Sequence, residues 1–251
     1  MAQHGKRYET ARTAIDRERA YSPADAVRML KEFPGPKFDE TVEVHFRLGL
    51  NVRHADEQLR GTLMLPHGTG RESRVVVFAE GDKAREAEEA GADVVGSADL
   101  AKRIEEGFTD FDVAIATPDQ MGNVGRLGRI LGPRGLMPNP KTGTVTFEIG
   151  KAVSDAKAGK LEYRTDRGAN VHLAIGKKSF AERQLLENYA AVVDEIVRAK
   201  PAASKGRYIR QITLATSMSP GIHVDSSRTR GIVEELDDRE ASAQETATVG
   251  A

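Results

Sequence analysis

A glycine-rich segment at positions 125 to 145 carries the strongest charge signal in this sequence. It reads GRLGRILGPRGLMPNPKTGTV, and no acidic residue occurs from Gln120 to Phe147. Its cations form a candidate basic surface that consists of Arg126, Arg129, Arg134 and Lys141. Arginines separated by glycines can approach a phosphate backbone closely, because glycine has no side chain to hold the backbone away. The segment therefore predicts contact with a polyanion such as RNA.

Two other interpretations of this segment compete with the polyanion surface. The first is a helix at about 121–131 followed by a loop that only connects elements. The second is a nucleotide site, but the dinucleotide pattern needs its glycines after the first strand, and a P-loop ends in glycine-lysine-serine or threonine. Neither pattern is present, so we predict no cofactor. The residues alone leave the helix and the polyanion surface equally open.

Residues that could perform catalysis or bind a metal show no convergent spacing. Metal-binding histidines are often three or four residues apart. The six histidines of this sequence, at positions 4, 45, 54, 67, 172 and 223, include no pair with that spacing. No spacing marks a Ser/His/Asp arrangement or a pair of catalytic carboxylates. We expect neither a metal site nor a small-molecule substrate. An enzyme stays as the rival class only because three-layer domains host many enzymes.

The net charge of −1 conceals a strong asymmetry along the chain. Residues 150–230 carry seven more basic than acidic side chains, and residues 1–70 carry one more. Residues 71–149 carry an excess of four acidic side chains, and residues 231–251 an excess of five. If the first and third blocks form one body, that body is strongly basic, as expected of a polyanion binder.

Composition indicates a globular protein of the cytoplasm. The 251 residues are 39% hydrophobic and 30% charged, which suits one large domain or two ordinary ones. There is no cysteine, so no disulfide framework can form. The charged N-terminal segment lacks the apolar core of a signal peptide, and no stretch approaches about 20 apolar residues. We therefore expect no membrane partner.

The middle of the chain alternates short apolar strands with helices. Continuous apolar strands separated by helices predict a parallel sheet covered on both faces. This is a Rossmann-like three-layer α/β unit. The predicted strands are 74–79, 93–95 and 111–118, and the predicted helices are 82–90 and 98–106.

The flanks of this unit predict one α+β domain. Ser22 and Pro23 are a typical helix start, with Val27, Leu30 and Phe33 directed toward a core. Residues 38–50 alternate between apolar and polar side chains, which indicates a strand with one wet face. Further along the chain we predict strands at 161–165, 171–175 and 207–216 and a helix at 180–200.

These patterns predict two domains, a discontinuous α+β domain interrupted by an inserted Rossmann-like α/β domain. The predicted boundaries are 1–69 plus 159–231 for the first domain, 70–158 for the inserted domain and 232–251 for an acidic disordered tail. Glycines near both crossings, at 66–70 and 158–159, would permit hinge motion.

GRLGRILGPRGLMPNP closely resembles the signature of the family of large-subunit ribosomal protein number one, of bacterial type. The resemblance extends over roughly 21–224 and includes KFDETVEVHFRLGLN, RGTLMLPHGTG, EAEEAGADVVG, FDVAIATPDQMG, GKLEYRTDRGANVHLAIGK and TSMSPG. It implies a two-domain protein with an inserted Rossmann-like domain, in agreement with the division above.

The resemblance also implies a function and partners. Members of this family bind 23S ribosomal RNA at the mobile stalk, assist release of deacylated tRNA from the exit site, and repress translation by binding their own messenger RNA. The implied partners are these three RNAs and other large-subunit components, and the implied place is the cytoplasmic ribosome. A purely structural ribosomal component whose inserted domain contacts only protein is an open alternative.

The family's RNA-binding positions can be carried over by motif. The first domain would bind RNA through Lys37, Phe38, Thr41, Ser217, Met218 and Ser219, with Arg164, His172 and Lys177 as neighbours. Lysines can neutralise phosphates, Phe38 and Met218 offer apolar faces, and small hydroxyl groups can reach a 2′-hydroxyl. Each also has an ordinary structural interpretation, since Phe38 at a strand start is usually a core residue and Met218 often fills a gap.

Two departures from the family pattern affect this assignment. Ser217-Met218-Ser219 stands where the family commonly has threonine-methionine-glycine, so a serine replaces a glycine that could allow close approach or positive φ. RNA affinity would be lower, or Pro220 and Gly221 would rebuild the turn. The string Arg164-Thr165-Asp166-Arg167 keeps the family's charge pattern but lacks its asparagine amide.

Overall fold

The computed structural model describes residues 5–202, 204–227 and 232. These residues mix helices with strands and group into two units. The first unit contains the described residues before Arg60, the segment Leu65–Gly70 and the described residues from Tyr163 onward. The second contains Arg60–Met64 and Arg71–Glu162. Apart from residue 232, the predicted acidic tail lies outside the described residues.

The first unit is built on a four-stranded antiparallel sheet with helices on one face. Its elements are α1 (Lys6–Thr13), α2 (Pro23–Glu32), β1 (Thr41–Leu48), β7 (Asn170–Lys177), α8 (Glu182–Arg198), β8 (Ile209–Thr216) and β9 (Ile222–Val224). The strand order of the sheet is β7-β1-β8-β9. Helices α2 and α8 pack against each other and against the strands, and they cover one face of this sheet.

The alternation in β1 is confirmed by burial. Val42, Val44, Phe46 and Leu48 are at most 2% exposed, whereas the residues between them are half-buried or exposed. A strand with one covered face requires this period of two, because successive side chains point to opposite faces. The other face of the sheet is therefore free to carry polar and charged side chains.

The predicted start of α2 is also confirmed. The Ser22 side chain accepts a hydrogen bond from the backbone N–H of Asp25 at 3.2 Å, and Pro23 occupies the first turn. A serine cap satisfies one of the free N–H groups at a helix start, and proline lacks the N–H that would be unpaired there. The predicted inward residues Val27, Leu30 and Phe33 are buried.

The second unit contains a three-stranded parallel sheet, which confirms the predicted parallel pairing. The elements are β2 (Arg60–Met64), β3 (Val75–Phe78), α3 (Asp82–Glu89), β4 (Val94–Gly96), α4 (Ala98–Glu105), β5 (Val113–Ala116), α5 (Met121–Arg126), α6 (Gly128–Leu131), α7 (Ile149–Lys157) and β6 (Lys160–Arg164). The strand order of the parallel sheet is β4-β3-β5. β2 and the first part of β6 also belong to this unit, and these two strands pair as a separate sheet.

Both faces of the parallel sheet are covered by apolar cores. Val76 and Phe78 of β3 pack in a core that includes residues of α4, α5 and α6. Val75 and Val77 point the other way, into a core with residues of α3 and α7. The continuous apolar run of β3 is explained by this double burial.

Two sequence-based expectations need correction. The strand predicted from residue 38 begins at Thr41, so Phe38 precedes it. The helix predicted at 121–131 is divided into α5 and α6, because glycines at 122, 125 and 128 lower the helix propensity of this stretch. Four elements, α1, β2, α7 and β9, were not predicted. Of these, α7 carries a recognisable apolar face, whereas β9 has only three residues and owes its strand conformation to pairing with β8.

A fully buried asparagine of α8 holds the segment that enters the first unit at Leu65. The Asn188 side chain accepts a hydrogen bond from the backbone N–H of His67 at 3.0 Å. Its amide donates to the backbone carbonyls of Gly68 at 3.0 Å and Ile175 at 2.7 Å. Gly68 and Gly70 adopt positive φ, which glycine permits without strain. The segment is thus fixed to α8 by side-chain hydrogen bonds.

We expect Asp93→Asn to make the acid loss of stability less steep. The Asp93 carboxylate accepts a hydrogen bond from the backbone N–H of Val75 at 2.7 Å, which lowers its pKa, and Lys157 at 3.3 Å lowers it further against the opposing effect of desolvation. A lowered folded-state pKa stabilises the fold above the unfolded pKa of about 4, and this contribution is lost as pH falls through the folded value. At pH 7 the cost of Asp93→Asn is under about 1 kcal/mol, because the side chain is partly exposed.

Urea midpoints at pH 7, 5 and 3 measure this effect. Asp119→Asn, at an exposed position of the same unit, is the control for replacing an aspartate by asparagine. If the urea midpoints of wild type and Asp93→Asn fell equally as the pH is lowered, the Asp93 hydrogen bonds would add no acid-sensitive stability.

Candidate nucleic-acid interface

The ends of three strands bring most of the predicted RNA-binding residues together. β1 is central, and the register pairs Thr41 with Lys177 of β7 and Val42 with Thr216 of β8. The start of β1 therefore lies at the same sheet edge as the ends of β7 and β8. We call the set gathered there the strand-end cluster, and it consists of Lys37, Phe38, Thr41, Lys177, Ser217, Met218 and Ser219.

Hydrogen bonds link three members of the strand-end cluster, Thr41, Lys177 and Ser217. The backbone N–H of Thr41 donates to the Ser217 hydroxyl at 3.2 Å, and the N–H of Ser217 donates to the Thr41 carbonyl at 3.2 Å. Lys177 Nζ donates to the Thr41 hydroxyl at 2.9 Å. Residues that are about 176 positions apart in sequence thus share one hydrogen-bonded framework.

Two large apolar side chains of the cluster face solvent. Phe38 is 56% exposed and Met218 is 62% exposed, so both ordinary interpretations, a core phenylalanine and a gap-filling methionine, are wrong. Lys37 is exposed as well. Exposed apolar side chains next to lysines can contact bases or sugars while the ammonium groups neutralise phosphates. The cluster has the chemistry that RNA contact requires.

The structure accommodates Ser219 without strain. Among the described residues other than glycine, Ala169 alone has positive φ, so the turn does not demand a glycine at 219. The Ser219 hydroxyl accepts a hydrogen bond from the Thr216 N–H at 2.9 Å and donates to the Pro220 carbonyl at 3.1 Å. The serine closes the turn with its own side chain.

His172 lies on the solvent-facing side of the sheet, away from the strand ends. It pairs with His45 four residues after Thr41, which corresponds to roughly 13 Å along the strand. The Nδ1 atoms of the two rings are 2.9 Å apart, and the outer Nε2 atoms face Glu43 at 3.8 Å and Asp166 at 3.7 Å. Burial lowers the pKa of His45, the neighbouring His172 lowers it further, and Glu43 opposes both. At this distance one Nδ1 atom carries the hydrogen and the other accepts it.

Arg164 is not brought into the strand-end cluster. It is the last residue of β6, which pairs with β2 rather than with the four-stranded sheet. Its side chain is exposed. The following residues form a tight turn in which Asp166 accepts hydrogen bonds from the N–H groups of Gly168 at 2.8 Å and Asn170 at 2.7 Å. Asp166 therefore stabilises the turn itself.

The second basic surface lies in the other unit and is solvent-facing. All four of its cations, Arg126, Arg129, Arg134 and Lys141, are exposed, whereas the neighbouring Val124, Leu127 and Leu131 are buried in the core. Within the described part of the chain, none of the four side chains forms an ion pair. The segment is thus both a pair of short helices and an exposed basic surface, so the two interpretations are compatible.

The glycines of this basic surface are not required by local packing. A Cβ atom placed at Gly122, Gly125 or Gly128 would meet no atom within 4 Å. Gly132 differs, since its Cβ would meet the Gly128 carbonyl oxygen at 2.5 Å. The first three glycines leave backbone open to the surroundings at a small cost in helix propensity.

Sequence reasoning missed two residues that organise these surfaces, Glu40 and His45. Glu40 is 2% exposed and contacts the turn at 216–218. A signal for it existed, because Glu40 continues the period-two series of inward residues 42, 44, 46 and 48. His45 gave no such signal, since only strand pairing reveals that it faces His172.

Comparison with known proteins identifies the family. The sequence matches the ribosomal protein L1p/L10e family over residues 30–220, which is more than half of the chain. This chain belongs to that family. It is therefore a ribosomal protein rather than an enzyme, and the rival enzyme class is set aside. The matched region includes the whole strand-end cluster and the whole second basic surface.

Curated members of the family resemble the chain over nearly their full length. Proteins named large ribosomal subunit protein uL1 include one from Thermobifida fusca, 62% identical over 90% of this chain and 96% of its own length. Another, from Frankia alni, is 60% identical over 92% of this chain and 97% of its own length. A third, from Salinispora tropica, is 58% identical over 92% and 98%.

Two further observations apply to the described residues. In 5–202, 204–227 and 232, no group of three or more His, Cys, Asp or Glu side chains is placed to hold a metal ion. No helix in this part of the chain is both long and apolar enough to cross a membrane.

Proposed function

We propose that this protein is a structural component of the large ribosomal subunit that binds 23S ribosomal RNA at the mobile stalk. The observation that carries the proposal is the strand-end cluster, where exposed Phe38 and Met218 stand with lysines at one sheet edge. Sequence-specific RNA binding uses apolar faces for unstacked bases and cations for phosphates. The family and the names of its members support the same function.

Individual roles within this proposal follow from the chemistry of each side chain. Lys37 and Lys177 neutralise phosphates, and Phe38 and Met218 contact bases or sugars. The hydroxyl groups of Thr41, Ser217 and Ser219 approach 2′-hydroxyls at the sheet edge. Arg164 and His172 extend the RNA-binding surface beyond the strand-end cluster.

The proposal includes two further RNA partners. We infer that the protein assists release of deacylated tRNA from the exit site and represses translation of its own messenger RNA. The second basic surface, Arg126, Arg129, Arg134 and Lys141, would face RNA. Exposed cations, with glycines that leave the backbone accessible, support close approach of a phosphate backbone.

The proposed domain organisation is a discontinuous α+β domain at 1–69 plus 159–231 and an inserted Rossmann-like domain at 70–158. The grouping of the described residues into two units supports it, since the chain passes from one unit to the other near both proposed boundaries. In this proposal the first domain anchors the protein to ribosomal RNA and the inserted domain moves with the stalk. Its place is the cytoplasmic ribosome.

Binding of the full-length protein to a stalk-rRNA fragment tests the proposed function. We expect the stalk fragment to bind at least about 100-fold more tightly than a scrambled RNA of the same length, which lies within the range of specific nucleic-acid binding. Titration at two salt concentrations should show steep loss of affinity with salt, since phosphate contacts release counterions. Equal binding of both RNAs would mean that the basic surfaces are generic and that the stalk is not the target.

A further inference from the structure

Glu40 is a buried carboxylate next to the strand-end cluster. It is 2% exposed, although glutamate is almost never fully buried without partners. The residue directly precedes β1, and its side chain points to the covered face of the sheet. Such a group is costly to desolvate, so its hydrogen bonds decide what it stabilises.

The two carboxylate oxygens of Glu40 connect different segments. One oxygen, Oε1, accepts hydrogen bonds from the backbone N–H of Met218 at 3.0 Å and from the Thr216 hydroxyl at 3.1 Å. The other, Oε2, faces Lys178 Nζ at 3.5 Å. Lys178 also donates to the Phe33 carbonyl at 2.6 Å. One side chain therefore ties the turn after β8 to the segment after β7.

The bond to Met218 has a particular consequence. Met218 is 62% exposed, so little packing restrains its side chain. Its backbone N–H, however, donates a hydrogen bond to the buried carboxylate of Glu40. The neighbouring N–H groups are also paired, Ser217 with the Thr41 carbonyl at 3.2 Å and Ser219 with the Thr216 carbonyl at 3.3 Å. A backbone that is already ordered before binding loses less conformational entropy when its side chain binds a partner.

From this geometry we infer that Glu40 is a positioning residue for RNA binding, which fixes the turn at 216–219 so that Met218 presents its exposed side chain to RNA. Glu40 itself makes no RNA contact, because it is buried. The inference rests on the proposed function and names the residue that preorganises its site.

Two substitutions separate the effect of the Glu40 hydrogen-bond acceptor from the effect of its negative charge. Glu40→Gln keeps an oxygen that can accept from Met218 and Thr216, whereas Glu40→Ala removes both acceptors. We expect Glu40→Ala to weaken binding of the full-length protein to the stalk-rRNA fragment at least about 10-fold, and Glu40→Gln to stay within about 3-fold of wild type. The dependence of log Kd on log salt should not change, since no phosphate contact is lost.

A double-mutant cycle with Met218→Ala tests whether Glu40 affects RNA binding through Met218. If Glu40 acts through Met218, Glu40→Ala should weaken binding by less than about 3-fold in the Met218→Ala background. A loss that is as large there as in wild type would overturn the inference and indicate general damage to the fold. So would wild-type affinity of Glu40→Ala.

Hydrogen exchange of the wild-type protein tests the same bond without any substitution. The Met218 amide should exchange at least about 10-fold more slowly than an unprotected amide, because a buried carboxylate accepts its hydrogen bond. Exchange at the unprotected rate would overturn the inference even if Glu40→Ala fails to fold. Failure of the proposed function is a different result, namely a wild-type protein that does not prefer the stalk fragment.

Discussion

We expect replacement of both Lys37 and Met218 by alanine to weaken binding to the stalk-rRNA fragment by about 30- to 100-fold. Removing the exposed apolar face of Met218 and one phosphate-neutralising ammonium costs about 1 kcal/mol each or somewhat more, and each 1.4 kcal/mol is about tenfold in affinity. The slope of log Kd against log salt should also fall in magnitude by about one phosphate contact. Titration of fluorescently labelled RNA at two salt concentrations measures both quantities.

A matched control pair is available in the other unit. Lys102 is an exposed lysine and Met64 is a 49% exposed methionine, so Lys102→Ala with Met64→Ala removes the same chemical groups from another part of the protein. The control should stay within about 3-fold of wild type. Unchanged affinity of the Lys37→Ala, Met218→Ala protein would show that RNA does not bind at the strand ends.

We expect Asn188→Ala to lower the free energy of unfolding by about 3–5 kcal/mol. The substitution leaves the His67 N–H and the carbonyls of Gly68 and Ile175 without their side-chain partner. A buried polar group that loses its hydrogen bond costs about 1–3 kcal/mol, and the fully buried Ile175 carbonyl costs most. The small cavity adds to this loss. Because domains of this size are stable by about 5–15 kcal/mol, the effect is large.

Urea denaturation of wild type and variant, followed by circular dichroism, checks this prediction. Asn123→Ala is the control, since Asn123 is half-buried and makes one side-chain hydrogen bond, to Gln120. It should cost under about 1 kcal/mol. An Asn188→Ala protein within about 1 kcal/mol of wild type would mean that water replaces the lost hydrogen bonds.

Local patterns were enough to predict the principal elements of the fold. The period of two in β1 fixes which side chains are inside, and the apolar run of β3 requires a sheet covered on both faces. Ser22 and Pro23 define the start of α2 because capping depends on residues within one turn. The division at Leu127 was harder to foresee, since the buried apolar positions on both sides continue the pattern of a single helix.

The sequence by itself determined the types of element, the inward face of β1 and, through its motifs, the residues proposed to bind RNA. Only the tertiary structure decided that Lys177 and Ser217 meet Thr41, that His45 meets His172, and that Glu40 accepts a hydrogen bond from the backbone N–H of Met218. The physical reason is the distance along the sequence over which each kind of interaction acts. Helix caps and side-chain alternation depend on neighbours within a few residues, whereas strand pairing joins segments more than 100 residues apart and depends on how the whole sheet and its core pack.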